Sequence, residues 1–349
     1  ASAKAKDSKD DKVIAAADDL RERVERINRN LARDSALERG LLIVAFRAAL
    51  LDNPARATQL WSNLKGMADA AKSDNKENEG NVSQSVYVQI VKEIDTQIKE
   101  LKAGLPKTKP TYDKTMTAFG NFLDKISAEA ATLKQPEMIF FLSNAYSSLE
   151  RYGDSGKLLA KIPDPGAKAT DKEQNLFRAA QLLSLEMLRR GKQYDEAYKM
   201  YQQIRKTDWG NRSLQVDAEG AELFENWGKF AAATKAYSDM IGKILQNPKA
   251  MDNPRTKEQY YDSYYKYVYC LTKHAQSLAD AAKKQEFIVR AAKAMAKVEN
   301  TQADFGKEGL KEKYLQLLKE EPALKKEYEL AKAAIKAAAA ADPQPGKKD

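Results

Sequence analysis

Cysteine and histidine are almost absent from this chain: Cys270 and His274 are the sole representatives among 349 residues. A single cysteine forms no intrachain disulfide and no thiolate zinc site. With one histidine, most of the ordinary equipment for metal ligation and general-base catalysis is missing too. The two stand four positions apart and would share a helical face. A nucleophilic dyad also needs an orienting third group and oxyanion donors. Neither is visible, so the pair reads as a buried thiol beside an incidental imidazole. There is no Gly-rich phosphate loop, GxSxG, HExxH or EF-hand loop. Carboxylates are plentiful, but no spacing selects a catalytic pair. Long apolar runs are lacking as well. A bilayer span needs ~20 such residues, and the longest stretch, Leu41 to Leu51, is interrupted by Arg47. The expectation is a chain that is not an enzyme, with no cofactor, no metal and no transmembrane segment.

Charge is abundant and nearly balanced. Fifty-nine basic residues face 50 acidic ones, a formal +9, and 31% of the chain is charged against 43% hydrophobic. That suits an elongated helical molecule with much solvated face, and it is too mild to demand a polyanionic partner. The chain begins Ala1–Ser2–Ala3–Lys4, small residues of the kind left by signal-peptide cleavage, which leans the reading toward an extracytoplasmic rather than a cytoplasmic location. Asn81–Val82–Ser83 and Asn211–Arg212–Ser213 match the glycosylation sequon.

What is there is helix. Apolar residues recur at three- and four-residue steps, and no segment alternates as a strand would. Residues 1–12 and 341–349 read as disordered tails. Residues 13–134 read as divergent helical hairpins, with helices near 12–34, 36–51, 54–67, 82–103 and 110–133 and a polar loop at 73–81. Helix pairs follow at 136–151 with 153–162, 170–190 with 194–206, and 213–228 with 230–246. The breakers Pro163–Asp164–Pro165–Gly166, Asp208–Trp209–Gly210–Asn211 and Gln246–Asn247–Pro248 follow them. Residues 256–340 read as further hairpins.

The middle pairs repeat internally. Tyr194 and Phe230 are 36 residues apart, as are Ala197 and Ala233, and Tyr201 and Tyr237. A fixed period of this size marks stacked repeats. The second pair carries Leu188, Gly191, Tyr194, Ala197, Tyr201 and Ile204. The third carries Phe224, Gly228, Phe230, Ala233, Tyr237 and Met240. The first is weaker, with Ile139, Leu142, Tyr146, Tyr152, Leu159 and Pro163, and with Ser155 where Ala belongs. Over residues 136–248 this resembles the tetratricopeptide repeat. The resemblance implies an all-α, right-handed α-solenoid of helix hairpins that holds extended peptides or helices on its concave face. In physical terms, a small residue at 197 or 233 lets paired helices approach, and at least three hairpins must stack to bury their faces.

Two groups of residues stand out as a binding surface. Tyr260, Tyr261, Tyr264, Tyr265, Tyr267 and Tyr269 lie within ten positions, covering about 200° of a helix. A helix packed on one side cannot bury them all, so Tyr260, Tyr264 and Tyr267 are expected in the core and Tyr261, Tyr265 and Tyr269 in a groove. A basic stretch contains Arg189, Arg190, Lys192, Lys199, Arg205, Lys206 and Arg212, of which Arg189, Lys192 and Arg212 are the candidate electrostatic contacts. Trp209 is expected to cap the core between repeats, with Trp61 and Trp227 on core stripes. The expected function is a scaffold or adaptor for a protein or peptide partner. The alternative is a binder of RNA or polysaccharide, using the basic excess and tyrosine stacking. An enzyme built on a helical toroid ranks third.

Overall fold

The computed structural model describes residues 109–128, 136–247 and 249–341, with residue 22 and short stretches between residues 41 and 105. Among the described residues every regular element is helical and none is a strand. Residues 1–12 and 342–349, the loop at 73–81, the sequon at Asn81 and all of the helix expected at 12–34 except residue 22 lie outside the described residues, while Ala341, expected in the tail, ends the last helix. The chain divides into two compact units, residues 1–180 and 181–349.

In the first unit, Phe46, Trp61 and Phe122 interlock, with Phe122 4.7 Å from Phe46 and 5.1 Å from Trp61. Helix α1 (Lys109–Ala128) buries Phe119, Phe122, Leu123 and Ile126 on one stripe. Sealing each such side chain from water contributes roughly 1.5–3 kcal/mol. Helices α2 (Pro136–Ser148) and α3 (Tyr152–Leu159) form the first hairpin, and α2 also packs on α1. Arg151 ties the layers together: it reaches Asp124 at 2.8 Å and Asp154 at 2.7 Å, and Asp124 also accepts the Tyr146 hydroxyl at 2.9 Å.

The division falls within α4 (Asp171–Arg190). A reciprocal cap starts this helix: the Thr170 amide donates to Glu173, and the Glu173 amide donates to the Thr170 hydroxyl. The second unit continues with α5 (Tyr194–Arg205), α6 (Asp208–Arg212), α7 (Leu214–Asn226) and α8 (Phe230–Gln246). A 3₁₀ turn at Ala250–Asp252 leads to α9 (Pro254–Ser277), α10 (Ala281–Thr301), α11 (Leu310–Glu320) and α12 (Pro322–Ala341). Asn253 caps α9 ahead of Pro254, and Asp280 caps α10, each accepting two backbone amides.

The three hairpins turn in the same way. Glu150, Lys192 and Gly228 adopt left-handed conformations with φ of 59°, 59° and 74°. At each turn the next amide returns to the carbonyl five residues earlier: Arg151 to Tyr146, Gln193 to Leu188 and Lys229 to Phe224. This is the bonding of a Schellman cap. The residues that begin the second helices have nearly identical backbones, with φ/ψ of −86°/61°, −87°/63° and −83°/62°. The small-residue position holds as well, since Ser155, Ala197 and Ala233 are all fully buried. One detail departs from the sequence pattern, which aligns Gly191 with Gly228. The backbone instead places Lys192, one residue later, in the left-handed position.

Asp208 to Asn211, expected as a loop, begins the single helical turn α6. Thr207 caps it by accepting the Gly210 amide. Gly210 packs so tightly that a Cβ there would lie 2.0 Å from the Ile204 carbonyl oxygen. Only glycine permits that approach.

Helix α9 is packed on several sides, by α8, α10, α11 and the 3₁₀ turn. The premise that one side of this helix stays open therefore fails. Tyr261 and Tyr267 are buried, and Tyr260, Tyr264, Tyr265 and Tyr269 pack half-buried against the same core.

Candidate functional site

Between α5 and α8, floored by α7, the second unit opens a groove of about 890 Å³. Its length comes from α8, which lines it from Ala232 to Gln246. Fourteen steps of 1.5 Å make about 21 Å. Its opening comes from small side chains, Ala232, Ala236 and Gly242, on the face of α8 that looks into it.

The two ends differ in chemistry. At one end Tyr198 and Tyr201 meet Phe224, with ring centroids 5.8 and 6.1 Å from it. Burial pushes the Tyr201 hydroxyl above its usual pKa. At the other end Arg205 and Lys243 hold the buried Asp217 at 2.6 and 2.5 Å, and both also donate to the Asn211 carbonyl at 3.3 Å. Lys206 lies beside them, exposed. On the rim Lys235 pairs with Asp239 at 2.6 Å. Four cations thus line the groove against two carboxylates. Phe224 and Asp217 are seven positions apart on α7, which separates the aromatic and cationic ends by about 10 Å.

The basic stretch seen in the sequence is split by the fold. Arg205 and Lys206 enter the groove, whereas Lys192 and Arg212 are exposed outside it. Arg189 is withdrawn into an ionic seam. Its guanidinium, with only 10% of the side chain exposed, binds Glu219 at 3.0 Å and Glu222 at 2.8 Å. Lys266 continues the seam to Glu222 at 3.0 Å and Glu225 at 3.5 Å, and Glu225 accepts the Tyr237 hydroxyl at 2.5 Å. Burial pushes the Glu219 carboxyl above its ordinary value, with Arg189 opposing. Burial also disfavours charge on Lys266, but Glu222 and Glu225 outweigh it and hold the ammonium above its usual range. A guanidinium so engaged is not presented to a partner, so Arg189 leaves the list of contacts.

Tyr261 leaves it too. At 5% exposure it lies beneath the segment after α10, where a Cβ on Gly306 would stand 2.3 Å from its ring. Tyr265 and Tyr269 remain partly accessible. They stack on each other at 6.4 Å, with Lys313 over Tyr265 and Lys273 over Tyr269 at 5.8 and 5.5 Å. Trp209 packs half-buried on the small core of Leu185, Ala197, Ile204, Val216 and Leu223. Trp61 is buried, and Trp227 stacks on Tyr194 at 6.0 Å. Cys270 is fully buried, and burial pushes its thiol well above the usual range, the opposite of what a nucleophile needs. His274 meets Phe287 edge-on at 4.6 Å.

Sequence reasoning missed Tyr198, Tyr201, Phe224 and Lys243 as members of a groove. The available signal was the run of small residues on α8 opposite them. The chain matches no protein-family model and no curated protein. Among the described residues no helix is long and apolar enough to cross a membrane.

Proposed function

We propose that this chain is a non-catalytic scaffold whose hairpins stack as a right-handed α-solenoid of tetratricopeptide type, and that it holds a protein or peptide partner in the second unit. The observation that carries the reading is the groove between α5 and α8: it is open, about 21 Å long by helix geometry, and formed by the second helices of two successive hairpins with the same turn. An elongated slot with an aromatic end and a cationic end suits a segment of chain better than a compact substrate. Tyr265, Tyr269, Lys192 and Arg212 are proposed as outlying contacts.

The test is a photo-crosslinking residue placed at Gln202 in the groove, and separately at Tyr269, in host extract at low and high salt. A discrete protein adduct from Gln202 that survives high salt supports the scaffold. Adducts made only of nucleic acid or glycan and lost at high salt overturn it in favour of the polyanion alternative.

A further inference from the structure

Resting on that reading, the geometry points to a specific occupant of the groove: an extended acidic segment of a partner protein in which a bulky apolar residue lies about three positions from one or more carboxylates. The length sets the form. A slot of about 21 Å spans about six residues of extended chain at 3.3–3.6 Å each. The separation of the ends sets the spacing. About 10 Å between Phe224 and Asp217 corresponds to about three extended residues, so one ligand reaches both ends only if its anchor and its acids are that far apart.

The chemistry follows from what each end leaves unfilled. Tyr198, Tyr201 and Phe224 form an open aromatic pocket bounded on the far side by Ala232 and Ala236, whose methyl groups leave room for a large side chain. At the other end Asp217 is one carboxylate shared between Arg205 and Lys243, with Lys206 beside them. The trio around Asp217 keeps a net positive charge, and Lys206 adds another. A second carboxylate docked there pairs with cations that are already oriented, so little side-chain order is lost on binding. A basic or purely apolar segment meets an unrelieved positive end.

The experiment is fluorescence anisotropy with the full chain and labelled synthetic peptides. Each probe carries Phe separated by two Ser from a Glu pair, in both chain directions. Matched controls replace Phe by Ser or the Glu pair by Lys. Oligouridine and heparin serve as polyanion probes. The expected result is saturable binding of at least one Phe/Glu peptide and loss of binding in both controls. Lys206→Glu should weaken it about three- to tenfold, the scale of one accessible ion pair reversed. Ala232→Trp should abolish it by filling the groove, and unchanged helicity and melting show that it folds. Lys283→Glu, exposed on α10 and outside the groove, should have no effect. Binding that ignores the Phe or the Glu pair, or that persists in Ala232→Trp, overturns the inference. If the peptides fail while the Gln202 adduct is still a protein, the scaffold stands and the acidic-segment inference falls. If the polyanions bind in the peptides' place and the adducts are nucleic acid or glycan, both fall.

Discussion

Gly220 of α7 lies directly under the ring of Tyr201 of α5: a Cβ at 220 would stand 2.3 Å from the ring edge. The groove therefore owes its depth to a missing methyl group. Alanine normally gains up to about 1 kcal/mol over glycine inside a helix, and Gly242→Ala in α8, where nothing lies within 4 Å, should show that gain. Gly220→Ala should instead lower stability by about 1 kcal/mol, because overpacking costs more than propensity returns. Urea midpoints of the two variants, moving in opposite directions, are the check.

Ser155 occupies the small-residue position filled by Ala197 and Ala233 in the next hairpins, and its buried hydroxyl has no hydrogen-bond partner among the described residues. An unsatisfied buried hydroxyl is costly. Ser155→Ala should raise stability by about 1 kcal/mol, measured as a higher urea midpoint with unchanged slope. A neutral or negative result would show that Ser155 finds a partner in solution.

Lys192 holds φ at 59° in a turn where the third hairpin uses Gly228. The left-handed conformation costs a side-chain-bearing residue roughly 1–2 kcal/mol, partly offset in glycine by its greater chain entropy, about 0.5–1 kcal/mol. Lys192→Gly should stabilise by about 0.5–1 kcal/mol and Gly228→Ala should destabilise. Thermal melts of both report the sign.

Asp124 is held below its ordinary carboxylate value, first by hydrogen bonding from Arg151 and then from Tyr146. Because the folded value is depressed, the stabilisation is fully present above the unfolded value near 3.8 and is lost as pH falls through the folded one. Asp124→Asn should therefore be less stable than the parent at neutral pH, and the gap should narrow at an acidic pH below the unfolded value of 3.8. Paired denaturant titrations at both pH values test this, and a gap that stays constant with pH would show that the carboxylate's charge is not responsible.

The hairpins were legible in the sequence because their ends are written locally. Gly228 and the Pro163–Gly166 run stop helices through their own backbone preferences. The left-handed residue of the second turn was not legible, because Lys192 has no such preference and the conformation comes with hydrogen bonds from the Lys192 and Gln193 amides to Arg189 and Leu188. The tyrosines of α9 were misread for a different reason. Periodicity describes one helix, whereas Tyr261 is covered by Gly306, 45 residues later. The groove was hidden likewise, since Tyr201 and Lys243 become neighbours only once α7 brings Asp217 and Gly220 between them.

The ionic seam bears on how the molecule yields to force. Arg189 stands on α4, Glu219, Glu222 and Glu225 on α7, and Lys266 on α9, so each bond joins one hairpin to the next rather than closing within it. Drawing α4 away from α7 would part Arg189 from Glu219 and Glu222 together, and drawing α9 away would part Lys266 from Glu222 and Glu225. A stack joined only by greasy contacts would come apart one layer at a time. Riveted across its layers by charge, this one should give way under tension as a single rupture from α4 to α9.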